Sequence, residues 1–64
     1  MRLNRVKVVA EMARQDLTIK EMAKRTGLSG NTIGFVRRGS SCTYETATAI
    51  AKALGVDVED LVEE

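Results

Sequence analysis

The side chains best equipped for molecular recognition crowd into one short stretch, TGLSGNTIGFVRRG, residues 26–39. It holds hydroxyls at Ser29 and Thr32, an amide at Asn31, an aromatic ring at Phe35 and guanidiniums at Arg37 and Arg38. Such groups form directional hydrogen bonds, stack, or neutralise anions; none is a strong acid–base pair or an activated nucleophile. The rest of the chain supplies no histidine, a single cysteine (Cys42) and no acids paired in a pocket. Metal sites, disulfide frameworks and the usual catalytic constellations therefore lack their residues. The expectation is a recognition protein with no enzyme activity, no metal and no cofactor. Two residues look costly for that stretch: Gly30 and Gly34 stand where a helix prefers alanine, at about 1 kcal/mol each.

The 64 residues allow one small core, too little for a deep substrate cavity, so no small-molecule ligand is expected. Hydrophobic residues make up 44% and charged residues 30%, with no proline, which favours a helical globule over disorder. Apolar runs such as Val8-Val9-Ala10 fall far short of the ~20 residues of a membrane span, and the N-terminus lacks the apolar core of a signal peptide. The expected location is the cytoplasm. Net charge is only +1, but its distribution is lopsided. Residues 1–42 carry nine Lys/Arg against three Asp/Glu, whereas residues 43–64 carry one against six. This split points to a basic surface for a polyanion at one end and an acidic pole at the other.

Caps and periodicity place these groups on five helices of one domain covering residues 1–64, at about 4–14, 19–26, 30–38, 44–54 and 58–62. Asn4 caps the first helix, whose inward stripe reads Leu3, Val6, Val9, Ala10 and Ala13, with Met12 at its edge. Thr18 and Glu21 form a capping box for the second, which buries Ile19, Met22 and Ala23 and stops at Gly27. Ser29 caps the third, pinned by Ile33 and Val36 and followed by Gly39. The fourth buries Ala47, Ile50, Ala51 and Leu54 and ends at Gly55; Asp57 caps the last. The short connections describe an all-α, compact five-helix bundle.

The spacing between Thr18 and Gly39 is specific. Counting Ile19 as position one, a small residue (Ala23) falls at five, a glycine (Gly27) at nine, and branched aliphatics (Ile33, Val36) at fifteen and eighteen. Ala23 permits a close helix crossing, Gly27 the left-handed turn, and Ile33 and Val36 the steep docking of the third helix. This is the pattern of a helix-turn-helix, whose third helix stands proud enough to enter a major groove.

Two stretches, LTIKEMAKRTGLSGNTIGFVRRG and YETATAIAKALGVDVEDL, resemble the lambda-repressor/Cro-like (Xre-type) helix-turn-helix DNA-binding proteins of bacteria, their phages and mobile elements. The resemblance spans nearly the whole chain. It implies a lambda-repressor-like five-helix domain that binds double-stranded DNA and regulates transcription, as a repressor, often as a homodimer. It places the base-reading positions at Gly30, Asn31, Thr32, Gly34 and Phe35. There Asn31 would pair with adenine, Thr32 reach a base or phosphate, and Phe35 lie on a thymine methyl. Many relatives grip phosphate with a glutamine where this chain has Ile19, so that task falls to the Thr18 hydroxyl, Lys20 or the helix's N-terminal amides. Further phosphate contacts implied are Ser29, Arg38, Ser40, Ser41 and Tyr44. Arg37 is turned away from Arg38 by helix rotation and is left unassigned between phosphate contact and stabilisation of the helix C-terminus.

An alternative reading keeps the helix-turn-helix shell as a protein-interaction module, with Phe35 as its anchor. Cys42 reads as a small loop residue. Val56, Val58, Leu61 and Val62 read first as core, with some left to line a homodimer contact.

Overall fold

A computed structural model describes residues 1–63. It contains α1 (Arg5–Arg14), α2 (Ile19–Thr26), α3 (Gly30–Arg37), α4 (Tyr44–Leu54) and α5 (Val58–Leu61). Among the described residues there is no strand beyond an isolated antiparallel bridge between Leu3 and Val62. None of these helices is long and apolar enough to cross a membrane.

The helices begin where side chains satisfy the orphan amides of their first turns. Asn4 Oδ1 accepts from the N–H groups of Val6 and Lys7 at 3.0 and 3.2 Å. Thr18 Oγ1 accepts from Glu21, Ser29 Oγ from Thr32 and Thr43 Oγ1 from Thr46, each at 3.1 Å. Caps of this kind each contribute about 1 kcal/mol. Asp57 holds the N-cap position of α5 but makes no side-chain capping bond; Glu59 and Asp60 place charge at that positive helix end instead. Gly27 and Gly55 end α2 and α4 with φ of 75°, a left-handed backbone that a side chain disfavours. Asp16 takes the same region at φ 55°, beyond the end of α1.

Leu3, Val8, Met12, Met22, Ile33, Val36, Ala47, Ile50, Ala51, Leu54 and Leu61 form the buried core, which contains no polar or charged residue among those described. Met22 is fully buried on α2, with Ile19 and Ala23 half-buried beside it. On α1 the expected stripe is not the one used. Val8 and Met12 face inward, whereas Val6 and Val9 are 68% and 37% exposed and Ala10 and Ala13 lie on the surface.

The cause is the N-terminal strap that fixes the rotation of α1. Asn4 N–H donates to Leu61 O at 2.6 Å, and Glu63 N–H donates to Arg2 O at 3.0 Å. These bonds, with the Leu3–Val62 bridge, seat Leu3 in the core. Cys42 N–H donates to Met1 O at 2.7 Å, tying the same strap to the loop before α4. At the far end of α1, Gln15 Nε2 donates to Leu54 O at 2.8 Å. Val62 leaves α5 in extended backbone to make the bridge, so this helix stops at Leu61.

Candidate nucleic-acid interface

The α2–α3 turn is built to present α3. Thr26 Oγ1 donates to Met22 O at 2.7 Å and accepts from Leu28 N–H at 3.1 Å, so the chain is held as it turns at Gly27. Leu28 packs on the core. Ile33 and Val36 then bury the inner face of α3, each only 2% exposed. At about 100° per residue, the opposite face carries Asn31, Gly34, Phe35 and Arg38.

That outer face is open. Asn31 is exposed and its amide makes no side-chain hydrogen bond among the described residues. The Phe35 ring is 53% exposed, and the Arg38 guanidinium carbon lies 5.0 Å from the ring centroid. A cation–π contact at an exposed site contributes about 0.5–1 kcal/mol, enough to bias both side chains toward one arrangement. A Cβ built at Gly34 would meet nothing within 4 Å, so this glycine serves no contact inside the fold.

The other positions expected to read bases sit differently. Thr32 is half-buried, and its Oγ1 lies 2.9 Å from Ser29 Oγ, within the cap of the helix. A Cβ at Gly30 would lie 3.6 Å from Ile19 Cγ2, so Gly30 faces α2 and only Gly34 leaves open space on the outer face. Phe35, Asn31 and Gly34 share one face; Thr32 and Gly30 flank it.

The expected phosphate contacts border this face at the ends of elements. Thr18 caps α2, and although its oxygen accepts from Glu21 N–H, its own O–H stays free to donate. Lys20 lies exposed in the first turn of α2, and Ser29 stands at the N-cap of α3. Arg38 is the C-cap of α3. Ser40 and Ser41 are exposed beyond it, with Ser40 N–H bonded to Phe35 O at 3.0 Å. Tyr44 opens α4 and is 65% exposed. Arg37 goes elsewhere: it lines a depression against α1 with Arg5, Val6, Val9 and Ala10.

The charges of the face are uncommitted. Glu11–Arg14, at 2.6 Å, is the one ion pair among the described residues, leaving Lys20 and Arg38 without carboxylate partners. The hydrogen bond from Arg14 holds the Glu11 carboxyl below its ordinary value of 4.5. Burial pushes the Cys42 thiol up, which keeps it protonated and suits a packed loop residue.

A proud helix with an open, partly cationic face, set on a second helix by a left-handed glycine turn, defines a helix-turn-helix module. A family model for this helix-turn-helix, of the Xre/lambda-repressor type, matches residues 10–61, and the chain belongs to that family. The membership makes it a DNA-binding, transcription-regulating type of domain. The structure of Streptomyces albus HEPD, with substrate 2-hydroxyethylphosphonate and Fe(II) bound, contains a similar unit, with a TM-score of 0.81 and 29% identity over 91% of this chain. The chain spans only 13% of that protein's length. No curated protein matches.

The surface of α1 outside this face carries no sequence signal of its own. Val6, Val9, Ala10 and Ala13 were legible as a helical stripe, but their spacing fits a core face and a surface face equally well.

Proposed function

We propose that this chain is a sequence-selective, double-stranded-DNA-binding transcriptional repressor that reads the major groove with α3, acting in the cytoplasm and carrying no catalytic step of its own. The outer face of α3 is the observation that supports it: a free amide at Asn31, a half-exposed Phe35 under Arg38, and a glycine whose missing side chain leaves room for something outside the molecule. Asn31 hydrogen-bonds a base edge, Phe35 covers a thymine methyl, and the Gly34 backbone comes close to the bases. With so few hydrogen-bonding readers, part of the selectivity comes from DNA shape. Thr18, Lys20, Ser29, Arg38, Ser40, Ser41 and Tyr44 set the register on phosphates. Two copies pair on DNA across half-sites about one helical turn, ~10 bp, apart.

The test is an amide chemical-shift titration with double-stranded DNA from the chain's own promoter region. Shifts concentrated on residues 29–44, together with affinity that falls steeply with salt, are expected. Salt-insensitive or undetectable binding overturns the reading. The exposure of Phe35 also favours a second reading, a protein-interaction module that has lost base recognition. Phe35→Ala separates the two. A DNA reader loses discrimination at one thymine position, whereas an interaction module loses a protein partner and keeps whatever DNA binding it had.

A further inference from the structure

α1 carries two apolar stripes, and the fold consumes one. Val8 and Met12 enter the core, while Val6, Val9, Ala10 and Ala13 recur at i, i+3, i+4 and i+7 along the exposed side. Val6, Val9 and Ala10 form the floor of a shallow depression of about 430 Å³, rimmed by Arg5 and by Arg37 from the end of α3. Helix rotation puts Arg5 on one flank of the stripe and Lys7 and Arg14 on the other. Glu11, the one acid of α1, lies beyond Arg14 and is paired with it. One border of the stripe is therefore cationic, with neither Arg5 nor Arg37 having an acidic partner among the described residues, whereas on the other side Ala10 shares a depression with Lys7, Glu11 and Asp60.

We propose that this face docks an acidic amphipathic helix from another protein, its apolar stripe laid along Val6, Val9, Ala10 and Ala13 and its carboxylates meeting Arg5 and Arg37. The spacing is that of helix-in-groove recognition, in which anchors repeat over about two turns. The residues are small, so a partner helix backbone can approach closely. A bilayer surface, by contrast, favours bulky apolar residues such as Trp, Phe and Leu. A second copy of this chain is a poor occupant. Pairing α1 on α1 sets Arg5, Lys7 and Arg14 against cations of the same kind, and like-charge juxtaposition opposes association. The acidic end of a second copy has little apolar surface to offer, because Val58, Leu61 and Val62 are packed on its own core.

Docking at this face is independent of DNA, and the test uses none. The isotope-labelled chain is titrated with a synthetic helix-forming peptide bearing a leucine stripe at i, i+3, i+4 and i+7 flanked by glutamates. Two controls accompany it: the same composition scrambled, and the same stripe flanked by lysines. Saturable amide shifts confined to residues 5–14 and Arg37, given by the glutamate peptide alone, are the expected result. Val6→Glu abolishes them while its own spectrum stays folded, since Val6 lies outside the core. The double substitution Arg5→Ala, Arg37→Ala weakens binding roughly fivefold, as two exposed ion pairs should. Four results each overturn the proposal: no saturable shifts, equal shifts from either control peptide, concentration-dependent shifts of the stripe in the protein alone, or tighter binding to phosphatidylglycerol vesicles than to the peptide.

Discussion

Replacing Gly34 by alanine tests the reading of α3 in one step, because its effects on folding and on DNA binding have opposite signs. Gly34 lies in the helix interior, outside the set of glycines with positive φ, and an added Cβ meets nothing within 4 Å. Nothing in the fold resists the methyl, so the chain gains the usual helix-interior difference of about 1 kcal/mol in alanine's favour. For a domain of this size that raises the thermal midpoint by about 4–8 °C, measurable by circular dichroism or calorimetry. The same methyl points out of the face assigned to the bases. If the α3 backbone packs there at van der Waals distance, the intrusion costs about 1–3 kcal/mol, or roughly 5- to 150-fold in affinity, read by fluorescence anisotropy at fixed salt. Gly30→Ala is the internal control: its Cβ falls at an ordinary contact distance from Ile19 on α2, so DNA binding changes little. A lower midpoint for Gly34→Ala refutes the open environment of Gly34. A higher midpoint with unchanged DNA affinity refutes the close approach.

The remaining predictions address other parts of the chain. Asn31→Ala leaves stability within about 0.5 kcal/mol, since the amide has no internal partner, but costs about 1–3 kcal/mol of discrimination at one base pair in a binding-site selection. Thr32→Ala shows the reverse, because its hydroxyl belongs to the helix cap with Ser29: a measurable loss of stability and little change in base preference. Asp16, at φ 55°, tolerates glycine, whereas Asp16→Val destabilises by about 1–3 kcal/mol in denaturant titrations through left-handed strain. Glu11, whose carboxyl is held below 4.5 by Arg14, contributes stability that is present above that value and is lost as pH falls through its lowered folded value. Carbon-detected titration of Arg14→Ala should return Glu11 toward its ordinary value; no change refutes the pairing.

Local chemistry makes much of this protein legible in its sequence. Asn4, Thr18, Ser29 and Thr43 announce helix starts because a short side-chain oxygen can reach the amides of the first turn, whatever the rest of the fold does. Gly27 and Gly55 announce stops because the left-handed turn is open to glycine. The helix-turn-helix spacing follows from the same local rules, and with it the outward direction of Asn31 and Phe35, since Ile33 and Val36 must face in. What the chain could not reveal alone is which of two competing faces α1 buries. Val8 with Met12, and Val6 with Val9, both satisfy a helical period, and the choice rests on residues nearly sixty positions apart, where Leu3, Asn4 and Arg2 meet Leu61, Val62 and Glu63. That Arg37 lies against α1, and that a Cβ at Gly30 meets Ile19 on α2 while one at Gly34 meets nothing, likewise follows from packing between elements. Caps, turns and helix spans are determined within a few residues of themselves. The rotation of each helix about its axis, and therefore which side chains reach a partner, is determined by contacts between distant segments that only the tertiary structure brings together.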